Sequence, residues 1–296
     1  MNGPTYDELR GAISRYLEAD VLLGVKTAPL TPPAPQRALS SPAARPSATA
    51  RPTAPVPRHP QVPAPPSLAR PAAPAPGLAS AVPHVMDVGP EELAGRQATL
   101  RALDEGKVSK CTKCRLCETR TQTVFGQGHA APRVVFVGEA PGAEEDASGL
   151  AFVGRAGQLL TKMIAAMGLS REEVYICNIL KCRPPDNRTP APDEIAACWP
   201  YLDEQLRILR PEVIVALGKP ASQTLLRTTE SISRLRGQWH DYYTSGTPLI
   251  GEPTPLMPTF HPAYLLRNPA EKAKAWSDLK MVMQRLGLPV PPPQGA

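Results

Sequence analysis

The stretch that decides the fold is Val134–Asp146, VVFVGEAPGAEED. Val134, Val135, Phe136 and Val137 are β-branched or aromatic and run straight into Gly138-Glu139-Ala140-Pro141-Gly142, and three acids follow Ala143. Residues of this kind suit a buried, pleated strand, and the Gly/Pro punctuation ends it. The reading is a buried strand whose carboxyl tip carries a charge, Glu139.

Working outward, comparable apolar runs occur at Val174–Ile179, Val213–Leu217 and Leu256–Phe260. Helical patterns lie between and after them, over Gly157–Met167, Pro192–Leu209, Pro220–Leu226 and about Ala270–Leu286. Near-continuous apolar strands alternating with helices predict a sheet covered on both faces. The expected architecture is α/β, a three-layer αβα sandwich around a mostly parallel four-stranded sheet, spanning residues 88–288. In such sheets ligands bind beyond the carboxyl ends of the strands. The four tips deliver Glu139, Asn178, Gly218 and His261 to that rim.

Ahead of this domain the composition changes. Seventeen of the 38 prolines fall between Pro29 and Pro83, among Ala, Ser and Arg, and Thr27–Met86 contains no Asp or Glu. Such a segment cannot bury enough apolar surface to offset its chain entropy, so residues 27–87 are expected to be a disordered, Pro/Ala-rich linker. Residues 1–26 carry apolar positions at helical spacing and are expected to form a short amphipathic docking helix. Residues 289–296 are expected to be a disordered tail. The net charge of +6 resides mostly in five linker arginines, leaving about +2 for residues 87–296. The folded part therefore needs a local patch, rather than bulk charge, to meet a polyanion. No run of about 18 apolar residues is present, so no membrane span is expected.

Several polar residues stand where chemistry would need them. His261 precedes Pro262 at a strand end, which fixes its backbone; it suits a donor to a developing anion or a structural turn. Downstream, Leu265, Leu266 and Arg267 combine apolar bulk with a cation, a pattern compatible with insertion into a duplex or with core packing. Asn178 ends an apolar strand, where Asn is disfavoured. Its carboxamide, an acceptor beside a donor, matches the N3–H and O4 edge of uracil, whereas cytosine presents the reverse; a turn-forming role is the alternative. Phe152, in the glycine-flanked GLAFVGRAG, suits stacking on a flat ring or a place in the core.

All six cysteines follow the linker: Cys111, Cys114 and Cys117 at CxxCxxC spacing, then Cys177, Cys182 and Cys198. This is the arithmetic of a metal or iron–sulfur site, and spacing alone leaves Cys117 undecided. Cys177 lies inside an apolar strand and reads as a core thiol. A disulfide framework is not expected in a domain of this size with no secretion signal.

Taken together, CTKCRLCETRTQTVFGQG, VVFVGEAPGAEEDASGLAFVGRAGQLL, VYICNILKCRPPDNRTPAPDEIAAC, IVALGKPA, LRGQW and PTFHPAYLLRNP resemble the family four, iron–sulfur, uracil-DNA glycosylases. The resemblance covers nearly all of residues 108–270 in family order. It implies a [4Fe–4S] cluster on Cys111, Cys114, Cys182 and Cys198, with Cys117 additional, and hence a reducing, cytoplasmic setting. It implies a uracil slot formed by Gly138, Glu139, Ala140, Phe152, Asn178 and His261, with His261 on the base O2. The implied reaction is hydrolysis of the N-glycosidic bond of a flipped nucleotide in single- or double-stranded DNA. Glu139 and His261 are then the catalytic residues, and Leu265, Leu266 and Arg267 touch DNA. No lysine in these motifs is a candidate nucleophile, so a monofunctional enzyme leaving an abasic site is expected. A monomer is expected, with the amino-terminal helix recruiting it to a repair or replication protein.

The best-known branch of the superfamily has Asp where Ala140 stands and Tyr where Gly142 stands, so Glu139 is expected to handle the water. The rival class is a non-catalytic nucleic-acid module that keeps the fold and cluster; it would lack His261 or Asn178, and both are present. A structural zinc protein would be colourless. A covalent uracil-capturing branch carries an insertion after the Asn178 strand that KCRPPDNRTP lacks.

Overall fold

A computed structural model describes residues 83–244 and 252–290. The expectations for residues 1–26, for most of the linker and for 291–296 lie outside these residues. Pro90, with Glu91 and Glu92 behind it, opens α1 (Pro90–Leu103): proline at the first position and acids in the first turn both favour a helix start. A two-residue strand, β1 (Gln127–Gly128), precedes the decisive β2 (Val134–Gly138). Then come α2 (Ala143–Ser148), α3 (Arg155–Ala166) and β3 (Tyr175–Asn178), followed by α4 (Pro192–Leu209) and β4 (Val213–Leu217). The chain continues through α5 (Gly218–Leu226), α6 (Ile232–Leu235), β5 (His240–Tyr242) and β6 (Thr254–Thr259). It ends with α7 (Pro262–Arg267) and α8 (Lys272–Arg285).

The strands form one sheet in the order β1-β3-β2-β4-β6-β5. The four central strands are parallel, as expected, but two antiparallel edge strands make the sheet six-stranded rather than four-stranded. The edges escaped the sequence reading because Gln-Gly and His-Asp-Tyr contain no apolar run; they exist by pairing with β3 and β6.

Every residue of β2, β3 and β4 is buried, which explains their unbroken apolar sequences. Alternate side chains serve opposite faces. Val135, Val137, Cys177, Ile214 and Ala216 pack with residues of α1, α4 and α5, including Leu100, Leu202, Leu206 and Leu225. Val134, Phe136, Ile176, Val213 and Val215 pack with Leu160 and Ile164 of α3 and Leu279 and Val282 of α8. These are the three layers. Residues 83–86, within the span assigned to the linker, already touch the domain: Val85 bridges to Pro132, and His84 Nδ1 lies 2.8 Å from Glu173 Oε1.

From β2 the chain crosses to β3 on one side, then returns to β4 on the other. The loops after β2 and β4 therefore diverge, opening a crevice at the carboxyl ends of these neighbours. The far wall is steadied by a buried ion pair. Arg236 Nε and Nη2 donate to Asp278 Oδ2 and Oδ1 at 3.0 and 2.5 Å, and Thr259 Oγ1, at the end of β6, donates to Oδ2 at 2.7 Å. Arg236→Met would leave Asp278 buried without its cation, so a stability loss of about 3–5 kcal/mol is expected, read as a lower urea midpoint. An unchanged midpoint would show that the pair is dispensable. Among the described residues no helix is long and apolar enough to cross a membrane.

Candidate active site

The crevice is a cleft of about 540 Å³ lined by Glu139 and Ala140 from the β2 tip, Phe152 from the following loop, Asn178 from the β3 tip, and His261 with Arg267 from the segment after β6. The tips of β2 and β3 and the segment after β6 thus meet as the strand-end rule predicts, joined by the Phe152 loop, while Gly218 is not among the lining residues. The floor depends on two glycines. A Cβ on Gly138 would lie 2.7 Å from Phe152 Cε2 and would also strike Asn178 Oδ1. At Gly218 (φ 86°), which opens α5, a Cβ would sit 2.8 Å from that of His261, and the backbone is left-handed. Side chains at either position would fill the space in which Asn178, Phe152 and His261 approach one another.

Asn178 is 1% exposed, and its Oδ1 has no hydrogen-bond partner among the described residues. A buried, unpaired acceptor costs about 1–3 kcal/mol, and the residue that carries it lines the cleft. Across from it, His261 caps α7: Ala263 N–H donates to His261 Nδ1 at 3.1 Å. That bond makes Nδ1 an acceptor and leaves the proton of the neutral ring on Nε2. Burial, reinforced by Arg267, pushes the His261 pKa down to about 4, while Glu145 opposes the shift. The ring is therefore a neutral donor at ordinary pH. Burial also raises the Glu139 carboxyl above the usual range.

Phe152 is buried, with its ring centroid 5.6 Å from that of His261 at 34°. Its backbone is left-handed (φ 54°), which costs a non-glycine residue about 1–3 kcal/mol. The loop is held on both sides of the strain. Glu145 accepts from Gly142, Val153 and Gly154 N–H at 2.9–3.0 Å, while Arg171 Nη2 and Gln127 Nε2 donate to Ala151 O at 2.7 and 3.2 Å. Sequence reasoning missed these braces. Glu145, three residues after Gly142, carried the capping-box signal that would have revealed it, whereas nothing local marks Arg171 or Gln127.

A second concentration of chemistry lies under α4. Cys111, Cys114, Cys182 and Cys198 line one small cavity with Lys181 and Tyr201, and Cys117 is outside its lining. All six cysteines are free thiols, and Cys177 is a fully buried core residue of β3. Arg120 Nη1 donates to Cys182 Sγ at 3.1 Å and Lys181 N to Cys198 Sγ at 3.3 Å. Burial pushes the Cys198 thiol up to about 11, with the charges of Cys182 and Cys111 adding to the rise. The two segments that carry the cysteines are tied independently at Glu194, which accepts from Arg115 Nε (3.1 Å), Arg188 Nη1 (2.8 Å) and Ala191 N (2.8 Å). The Arg188 guanidinium holds the Glu194 carboxyl down to about 2.

Leu265 departs from its expected role. It is 1% exposed and packs with Phe260 and Ala275, so it is a core residue and cannot enter a duplex. On α7 it turns inward while Leu266 is half-buried and Arg267 is exposed at the cleft. The helical period separates three consecutive residues that the linear sequence grouped. Leu150, 49% exposed on the loop ahead of Phe152, is a large apolar side chain left in solvent that sequence reasoning did not single out.

Similarity to known proteins agrees with this geometry. The family model of the uracil DNA glycosylase superfamily matches residues 125–280. The chain belongs to that superfamily. A type-4 uracil-DNA glycosylase of Thermotoga maritima is 50% identical over 163 residues, 55% of this chain and 81% of that protein. Type-4 uracil-DNA glycosylases of Archaeoglobus fulgidus and Saccharolobus solfataricus are 42% and 41% identical over 185 residues, covering 90% and 83% of those proteins and 61% of this chain.

Proposed function

We propose that the protein is a type-4 uracil-DNA glycosylase that hydrolyses the N-glycosidic bond of uracil in DNA and leaves an abasic site. The observation that carries this reading is the unpaired, buried Oδ1 of Asn178 at the wall of a cleft that Phe152 and His261 also line. Its likeness to the type-4 relatives supports the same conclusion. In this reading the flipped uracil lies against Phe152, its N3–H donates to Asn178 Oδ1, and Asn178 Nδ2 donates to O4. As the bond breaks, positive charge develops on the sugar and negative charge on the departing base. His261 Nε2–H and the backbone amides of Gly138–Ala140 stabilise that anion. Arg267 and Arg155, also at the cleft, meet the phosphates flanking the extruded nucleotide.

The test is incubation with uracil-containing oligonucleotides followed by alkaline scission, with cleavage expected only after alkali. Scission without alkali would remove the monofunctional assignment, and no scission at all would remove the activity. Glu139 is assigned the water or the sugar charge, because Ala140 occupies the position of the water-activating Asp of the best-known branch. Glu139→Gln is expected to slow single-turnover uracil release about tenfold, equivalent to about 1.4 kcal/mol of barrier. An unchanged rate would take Glu139 out of the mechanism.

The cysteine cavity fits a [4Fe–4S] cluster held by Cys111, Cys114, Cys182 and Cys198. Burial raises the thiols of Cys114, Cys182 and Cys198, with neighbouring cysteines adding to the rise, so they ionise only against compensating positive charge. Among the described residues no group of three or more His, Cys, Asp or Glu side chains is arranged to hold a single metal ion. The resemblance to the iron–sulfur uracil-DNA glycosylases favours a cluster over zinc. When bound it supplies cross-linking between the 111–114 and 182–198 segments. Brown colour with stoichiometric iron in the purified protein is the expected finding; colourless protein containing zinc would overturn the assignment.

A further inference from the structure

Lys181 is 1% exposed and has no role in the chemistry described so far. Its Nζ donates to the backbone carbonyl of Asn178 at 2.9 Å and, by a short bond, to Gln205 Oε1. Gln205, itself buried, is anchored by its Nε2 to Phe125 O at 3.0 Å and to Tyr175 OH at 3.3 Å. Neither acceptor of the ammonium is a carboxylate. A carboxylate that acts on it through space is Asp104, whose Oδ1 is buried without a hydrogen-bond partner among the described residues. A lysine this deep is costly, and an apolar chain of the same length would satisfy packing alone. What it holds accounts for its presence.

Asn178 is the last residue of β3, and beyond it the chain leaves the sheet. Over the next few residues Ile179 N donates to Gly138 O, Leu180 N to Glu139 O, and Lys181 N to Cys198 Sγ. One short segment thus runs from the base-reading amide, along the β2 tip, to the cysteine cavity. Lys181 lines that cavity while its ammonium reaches back to the Asn178 peptide. We propose that Lys181 is a positioning residue for base recognition, fixing the Asn178 peptide plane, and with it the carboxamide, from the side of the cysteine cavity. The proposal rests on the uracil reading above.

The experiment uses the full chain and three measurements: inhibition of excision by free uracil, affinity for DNA carrying the abasic product, and iron content. Free uracil reports the base slot alone, and abasic DNA reports everything except the base. In Lys181→Met, inhibition by free uracil is expected to weaken about tenfold, with KM for uracil DNA rising alongside, while abasic-site affinity and iron content stay as in the wild type. Equal losses for uracil and abasic DNA, or unchanged inhibition by free uracil, would overturn the proposal. Gln205→Leu removes the other acceptor of Nζ and lies away from the cleft, so it serves if the methionine variant does not fold. It is expected to weaken free-uracil inhibition about threefold with abasic binding intact, and no weakening would overturn the proposal. Failure of the wild type to release uracil would instead end the functional reading itself.

Discussion

Replacing His261 by Leu is expected to slow single-turnover release of uracil by about 10²–10³-fold while leaving affinity for uracil DNA within about threefold. The split between rate and affinity follows from what the imidazole meets in the proposed reading. In the bound substrate the base oxygen is a neutral carbonyl, and a hydrogen bond to it differs little from one to water. As the glycosidic bond breaks, that oxygen takes up negative charge, and a donor already in place stabilises it without reorganisation. Ala263 N–H occupies Nδ1 at 3.1 Å, so the donor is Nε2–H. A variant that lost affinity and kept its rate would place His261 in binding alone.

The same geometry sets the pH dependence. A free imidazole titrates near about 6.5, but burial holds that of His261 down to about 4. The rate is therefore expected to show no His261 inflection near neutrality. The His261 contribution is lost as the pH drops through about 4, where a proton on Nδ1 would displace the Ala263 contact. Protonation of Glu139, whose carboxyl pKa burial raises, adds its own acid loss. Stability follows the linked sign. Between about 6.5 and about 4 the unfolded chain binds a proton that the folded one excludes, so folding weakens as the pH falls across that window. His261→Leu should remove that part of the slope. An activity profile with an inflection near 6.5, lost in the variant, would show that the ring is charged in the working enzyme.

What could be read ahead of the structure follows from how each feature is encoded. Parallel strands buried on both faces are apolar, so β2, β3 and β4 announce themselves, as does the shorter buried run of β6, and their tips point to Glu139, Asn178, Gly218 and His261 without any knowledge of side-chain contacts. The edges β1 and β5 owe their form to partners rather than to composition, and no local pattern marks them. Leu265 failed for a related reason: a wedge reading needs the phase of α7, and six residues after a proline do not fix it. Glu145, Arg171 and Lys181 act on backbone groups brought near by the fold, from 3 to 20 positions away along the chain. Only the capping spacing of Glu145 is visible in a linear sequence. The cysteines are intermediate: CxxC spacing signals a metal site but leaves Cys117 undecided, and the structure lines one cavity with Cys111, Cys114, Cys182 and Cys198.

Asn178→Leu should produce the complementary phenotype to His261→Leu. In the proposed reading the carboxamide contacts the Watson–Crick edge in the ground state as well as in the transition state, so its loss is expected to appear mainly in KM, with kcat/KM for uracil DNA reduced by about 10²-fold. The magnitude comes from two bonds: the leucine would leave N3–H and O4 of a buried base without partners, at about 1–3 kcal/mol each, partly offset by apolar packing of the leucine against the base. In the free protein the sign reverses. Asn178 Oδ1 is buried and unpaired there, so removing it eliminates a desolvated acceptor, and Asn178→Leu is expected to be at least as stable as the wild type. A less active but no less stable variant is the mark of a group kept for its ligand rather than for the fold. Abasic-site DNA should bind unchanged, because it lacks the base that Asn178 reads. If instead Asn178→Leu unfolds more readily and binds abasic and uracil DNA equally poorly, the amide is an internal strut and the cleft reads its base by other means.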